Sequence, residues 1–110
     1  DDLLPPPPPY FVMKGGPVPL IPYPRPGAPE AADKVAQAIE RFGAAGTPLR
    51  AVMLERLGPN VWHETPGAAM AVLEELEETA RLQMLTGAAR PAPLDADQID
   101  ELRTTFGARW

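Results

Sequence analysis

The sequence predicts a mixed α/β domain. Three observations indicate this class: three segments have the periodicity of amphipathic helices, one apolar segment shows no alternation, and prolines and glycines separate these segments at short intervals. With 110 residues, of which 45% are hydrophobic and 23% charged, the chain has the length and balance of one globular unit.

The chain begins with a proline-rich arm. Residues 1–9, DDLLPPPPP, include five consecutive prolines, which lack backbone N–H groups and favour an extended polyproline II conformation. We interpret the arm as a stiff connector, and its presentation to a proline-recognising partner is the alternative. The apolar stretch from Pro17 to Tyr23 carries three prolines and is predicted to be an edge strand.

The first predicted helix starts at Pro29, which suits the first helical position, and continues to about Phe42. Gly43 and Gly46 end it. Its buried face is predicted from apolar spacing: Ala31, Val35, Ile39 and Phe42.

The segment from Leu49 to Leu54 is predicted to be a central strand, with a short buried helix as the alternative. If these residues were the whole protein, the strand would lack pairing partners and its apolar edge would favour association. Gly58 and Pro59 interrupt the pattern, and a further short strand is predicted at Val61 and Trp62.

The longest predicted helix runs from Pro66 to about Leu85, with Thr65 as its cap and Gly87 as its stop. Its spacing predicts one buried face and one polar face, with Glu77 and Arg81 placed for an i,i+4 ion pair. The buried set is Ala69, Leu73, Leu76, Ala80 and Met84, and the outward set is Glu74, Glu77, Glu78 and Arg81. The acidic residues 74–78 are interpreted as a solvated face.

A last helix is predicted to begin at Asp95. Asp95 and Gln98 have the spacing of a capping box. Ile99, Leu102 and Phe106 would form the buried stripe of this helix.

Charge and composition exclude several classes of function. A net charge of −5 and a pI near 4.8 argue against a nucleic-acid partner. No apolar run approaches the roughly 20 residues that span a bilayer, so no membrane partner is expected. The absence of cysteine fits a reducing compartment, and we expect a cytoplasmic protein.

The inventory of catalytic side chains is small. The chain has neither serine nor cysteine, which excludes a Ser–His–Asp triad and a thiolate nucleophile. Its one histidine, His63, follows Trp62 and is interpreted as a strand-end residue rather than a metal ligand. Gly15 and Gly16 alone are too weak a pattern for a phosphate-binding loop.

Two blocks resemble the C-terminal half of the class II aldolase/adducin head family: VPLIPYPRPGAPEAADKVAQAI (residues 18–39) and AVMLERLGPNVWHETPGAAMAVLEELEETARL (residues 51–82). The run PYFVMKGGPVPLIPYPRPG is most similar to the branch of 3-oxo-tetronate 4-phosphate decarboxylases and related sugar-phosphate aldolases. The resemblance implies that residues 1–110 are the C-terminal part of a single three-layer α/β/α domain with a largely antiparallel central sheet. It also implies a homotetramer with active sites between subunits.

The same resemblance implies a divalent metal, usually zinc, held by a His-x-His pair from the N-terminal half and a third histidine in a segment like Asn-His-Gly-Pro. Here that segment reads Glu55-Arg56-Leu57-Gly58-Pro59. Leu57 occupies the expected histidine position and has no lone pair for a metal, so no metal site is expected from this chain alone.

Tyr10 is the one catalytic candidate that the resemblance carries over, as a proton donor that reaches across the subunit boundary. Its alternative role is that of a packed aromatic residue. Arg109 and Trp110 are weaker candidates for reaching a neighbouring site.

Two functions follow from the resemblance. The first is a lyase that performs metal-assisted aldol cleavage or decarboxylation of a phosphorylated sugar acid, with this chain alone incomplete and inactive. The second, which Leu57 favours, is a non-catalytic assembly or binding module of the same family. A small domain that presents the proline arm is a third reading, supported by the arm only.

Overall fold

The protein combines a small sheet with helices on both of its faces. The structure is a computed structural model that describes residues 9–89 and 91–110. Its elements follow in the order α1 (Pro9–Lys14), β1 (Leu20–Ile21), α2 (Pro29–Ala44), β2 (Ala51–Leu54), β3 (Gly58–Val61), α3 (Pro66–Thr86), a 3₁₀ turn (Gly87–Ala89) and α4 (Ala96–Phe106). Residues 1–8 of the predicted proline arm lie outside the described residues.

The sheet has the strand order β1-β2-β3. β2 pairs in parallel with β1, with Leu20 opposite Met53, and antiparallel with β3, with Ala51 opposite Val61. The predicted central strand is therefore confirmed. The expectation that it would lack pairing partners was wrong, because β1 and β3 supply them and are themselves the edges of this sheet within the described residues.

Alternation along β2 creates the layers. Ala51 is fully buried in a cluster with residues of α1 and α3, whereas Val52 is fully buried in a second cluster with residues of β1 and α2. The first cluster contains Phe11, Val18, Ala51, Val72 and Leu76, and the second contains Ile21, Ala38, Leu49 and Val52. Helices thus cover both faces of the sheet, and the α/β class is confirmed. Within these residues the sheet is mixed, since its β1–β2 pair is parallel.

Helix α2 begins at Pro29, as predicted, and ends at Ala44, two residues beyond the predicted Phe42. Val35 and Phe42 pack against the second cluster, as their spacing indicated. Ile39 does not, because it is 42% exposed while its neighbour Ala38 is buried. The buried stripe is thus the predicted one except that Ala38 takes the place of Ile39.

Helix α3 has the predicted bounds to within a residue, and the Thr65 hydroxyl accepts a hydrogen bond from the backbone N–H of Ala68 at 3.1 Å. Its buried residues are Val72, Leu76 and Thr79, and of the predicted face Leu76 is buried while Ala69, Leu73 and Ala80 are half-buried. The predicted outward set is exposed: Glu74, Glu77, Glu78 and Arg81. Met84, assigned to that face, is 85% exposed. Apolar residues lie on more than one side of α3, so the most buried stripe, at Val72, Leu76 and Thr79, lies beside the predicted one.

The ion pair on α3 also differs from the prediction. Arg81 donates two hydrogen bonds to Glu78, at 2.8 and 2.6 Å, and not to Glu77. These bonds lower the pKa of the Glu78 carboxyl and raise the pKa of Arg81. Both groups are exposed, so the pair is a surface feature rather than a site.

Helix α4 confirms the capping box. The Asp95 carboxylate accepts from the Gln98 N–H at 2.9 Å, and the Gln98 side chain accepts from the Asp95 N–H at 3.0 Å. Ile99 is buried as expected. Phe106 is 61% exposed, contrary to the predicted stripe. None of the described helices is both long and apolar enough to cross a bilayer.

Helix α1 was not predicted, because the preceding prolines suggested an extended arm through residue 9. Pro9 instead occupies the start of the helix, where the missing N–H has no intrahelical partner to lose. Phe11 and Val12 are fully buried, and the Trp110 ring packs edge-on against Phe11 with centroids 5.8 Å apart. The first and last described segments therefore meet.

Candidate functional site

The turn between β2 and β3 carries the position that the resemblance assigns to a metal ligand. Three residues, Glu55, Arg56 and Leu57, join Leu54 to Gly58. The Leu57 N–H donates to the Leu54 carbonyl at 3.0 Å, and Arg56 has a φ of 64°, a value found at the third position of type II turns. The turn exposes the Leu57 side chain, which is 49% accessible.

Glu55 fixes this turn to the end of β1. Its N–H donates to the Ile21 carbonyl at 3.0 Å, and its carboxylate accepts a hydrogen bond from the Tyr23 N–H at 2.8 Å. A hydrogen bond to a charged acceptor is stronger than a neutral one. Both the backbone and the side chain of Glu55 therefore attach the turn to β1 and the segment after it. Glu55 has a structural role.

The donor set does not fit a metal ion. Leu57 has only carbon in its side chain. Across the part of the chain that the structure describes, no group of three or more His, Cys, Asp or Glu residues is placed to hold a metal. His63 lies at the other end of the β2–β3 hairpin, where its Nδ1 accepts from the Glu64 N–H at 2.8 Å.

Tyr10 lies in α1, next to the buried Phe11 and Val12. The placement of its side chain lies outside the described structure. Its role as a proton donor stays a prediction.

The C-terminal tail reaches back to α1 and the segment that follows it. Trp110 contacts the first core cluster, and the Arg103 guanidinium donates to the Trp110 carbonyl through Nε at 3.1 Å and also through an Nη. Trp110 is therefore engaged within its own chain. Arg109 instead lines a cleft together with His63.

Two further cations line that cleft, Lys14 and Arg50, and neither was singled out from the sequence. The four residues come from three separate parts of the chain, namely α1, the open end of the β2–β3 hairpin and the tail, so no local spacing could have revealed them. The pairing of β2 with β3 and the return of the tail to α1 bring them together.

The chain resembles known proteins along most of its length. Residues 2–84 match the family model described as the Class II Aldolase and Adducin N-terminal domain. The chain belongs to the class II aldolase and adducin family.

Two relatives of the chain carry the same name. The chain is 48% identical over 114 aligned residues to a 3-oxo-tetronate 4-phosphate decarboxylase of Cupriavidus necator, covering 100% of the chain and 49% of the relative. It is 40% identical over 96 residues to the protein of that name from Escherichia coli K12, covering 87% of the chain and 42% of the relative. The chain thus spans about half the length of the relatives it matches.

Solved structures give the same result. The chain superposes on the crystal structure of YgbL from Escherichia coli with a TM-score of 0.79 and 37% identity, covering 93% of this chain and 46% of that one. YgbL from Klebsiella pneumoniae gives 0.74 and 38%. The arrangement of sheet and helices described above is therefore that of a class II aldolase fold.

Proposed function

We propose that this chain is part of a lyase that decarboxylates a phosphorylated sugar acid or cleaves it by a retro-aldol reaction. The observation that carries the proposal is the 48% identity, along the whole chain, to a 3-oxo-tetronate 4-phosphate decarboxylase. Two further relatives, 40% and 38% identical, carry the same name. The retro-aldol form of the reaction rests on the family alone.

The proposal assigns this chain a scaffold role together with one catalytic group. The doubly anchored β2–β3 turn offers Leu57 and not a ligand, and the described residues hold no group of three or more side chains placed for a metal. We therefore propose that a metal of the family type takes its ligands from outside this chain. We infer that residues outside these 110 complete the active site. Assembly as a cytoplasmic homotetramer, with sites between subunits, belongs to the same proposal.

Tyr10 is the proposed catalytic acid. When a 3-oxo acid loses CO₂, the carbon–carbon bond breaks and its electron pair remains on the product as an enolate. That enolate requires a proton at carbon, and a tyrosine phenol within hydrogen-bond reach could deliver it. The buried neighbours Phe11 and Val12 anchor the helix from which Tyr10 would act.

The experiment joins this chain to the preceding half of the Cupriavidus necator relative and follows CO₂ release from 3-oxo-tetronate 4-phosphate. Tyr10→Phe removes the phenolic proton and is expected to lower kcat by about 10²- to 10⁴-fold. Tyr23→Phe is the matched control, because Tyr23 is 51% exposed and bonds Glu55 through its backbone N–H only. Full turnover by Tyr10→Phe would remove Tyr10 from the mechanism, and no turnover by the unmodified fusion would contradict the lyase proposal.

A non-catalytic assembly module is the second candidate, and the exposed Leu57 at a ligand position favours it. In that case the fusion would assemble as a tetramer while binding no zinc and releasing no CO₂. Light scattering and metal analysis of the same sample distinguish the two functions.

A further inference from the structure

We propose that the cleft between α1, the start of β2 and the C-terminal tail binds a phosphate group, either free or as a monoester. The cleft has a volume of about 240 Å³. Lys14, Arg50, His63 and Arg109 line it, together with the backbone of Gly15 and Gly16.

The charge of the cleft is opposite to that of the protein. The chain carries 10 Lys and Arg against 15 Asp and Glu, yet three of the cations line this one cleft, and none of the carboxylates in the described residues does. Lys14 also forms an ion pair with Glu75, which does not line the cleft; Lys14 Nζ lies 3.5 Å from Glu75 Oε1. Such local concentration in an acidic protein favours a bound anion.

The side chains of Arg50 and His63 are only partly exposed to solvent. Within residues 9–89 and 91–110, the guanidinium groups of Arg50 and Arg109 form none of the side-chain hydrogen bonds or ion pairs found. A partly buried cation interacts more strongly with an anion than one in bulk water does, because the effective dielectric constant is lower. A phosphate dianion would satisfy both guanidinium groups.

The hydrogen-bonding character of the lining matches phosphate. Arginine and lysine side chains only donate. His63 accepts from the Glu64 N–H through Nδ1, which places the proton of a neutral imidazole on Nε2 and makes that atom a donor. Phosphate oxygens accept from all of these groups, and arginine can bind them in bidentate fashion.

The tail holds Arg109 at the cleft. Gly16 has a φ of 74°, and a Cβ on it would lie 2.9 Å from the Arg109 carbonyl oxygen. The absence of that Cβ permits the close approach of the tail. The residue after Arg109, Trp110, packs on Phe11 and fixes this end of the tail.

The cleft is separate from the turn that carries Leu57. Arg50 and His63 flank the open end of the hairpin, where the Trp62 N–H donates to the Arg50 carbonyl at 2.9 Å. Leu57 lies beyond the opposite end of β2. The four residues of β2 separate the two ends of the hairpin by roughly 13 Å. The inference therefore goes beyond the proposed lyase activity and is tested by equilibrium binding without turnover.

The test titrates the full chain with sodium phosphate at constant ionic strength and follows backbone amide signals by NMR. We expect saturable shifts centred on Gly15, Gly16 and His63. Arg50→Gln and Arg109→Gln should each weaken binding about tenfold or more, as expected for loss of a charge-assisted hydrogen bond. Arg25→Gln, at an exposed loop position away from the cleft, should bind as the unmodified chain does.

The spectra also report whether each variant is folded, and Arg50→Lys, which keeps the charge, should retain part of the affinity. Tighter binding of a four-carbon sugar-acid phosphate than of inorganic phosphate would assign the cleft to a metabolite, and equal affinity would assign it to free phosphate. Non-saturating shifts that sodium chloride reproduces would overturn the proposal, as would equal losses in Arg25→Gln and Arg50→Gln.

Discussion

At the scale of single residues, Gly16 determines where the tail can lie. Its positive φ disfavours any side chain, and the Arg109 carbonyl occupies the space that a Cβ would need. Gly27 has nearly the same φ, 78°, but apart from its chain neighbours none of the described residues has an atom within 4 Å of its Cβ position. The two glycines thus separate the cost of backbone conformation from the cost of close packing.

Gly27→Ala is expected to lower the free energy of unfolding by about 1 kcal/mol through backbone strain. Gly16→Ala should cost about 1 to 3 kcal/mol more, because the tail must move. Urea denaturation measures both, and Trp110 fluorescence in a Trp62→Phe background reports the tail. Equal losses for the two variants would show that the tail contact contributes nothing.

The sequence predicted the surroundings of some of these residues and not of others. Gly58 and Pro59 indicated a break after β2, and a turn does follow β2, but it consists of residues 55–57. Gly58 and Pro59 themselves lie in β3, which ends at Val61 and does not include the predicted Trp62. The cationic cleft could not be predicted, since its residues are separated by long stretches of chain. Chemistry that depends on tertiary contact leaves no local pattern.

At the scale of elements, helix ends were predictable and helix faces were predictable only in part. Thr65 with Pro66, and Asp95 with Gln98, act within one turn, so their bonds follow from the sequence alone. The face of α3 depends on what packs against it, and Thr79 lies there fully buried although it is polar. Its hydroxyl has no hydrogen-bond partner among the described residues.

Thr79→Val removes this unpartnered hydroxyl while keeping the branched shape. We expect the free energy of unfolding to rise by about 1 kcal/mol, since a buried unsatisfied polar group carries a desolvation cost. The melting temperature should rise by about 4 °C for a chain of this size. Thr86→Val is the control, because the Thr86 hydroxyl donates to the Leu82 carbonyl at 2.9 Å, and it should bring no gain. A lower melting temperature for Thr79→Val would contradict this account of α3.

At the scale of the whole molecule, the sheet has a fully paired centre and open edges within the described residues. β2 is bonded on both sides, and helices cover both of its faces. The arrangement is shared with YgbL over 93% of this chain but only 46% of that protein. These 110 residues therefore reproduce about half of a larger fold and offer no ligand set for a metal in their described part.

The most direct test compares CO₂ release from 3-oxo-tetronate 4-phosphate by this chain alone and by its fusion to the preceding half of the Cupriavidus necator relative. Our account predicts no detectable release by the chain alone and turnover by the fusion. Turnover by the 110 residues alone, with a metal held by their own side chains, would contradict it.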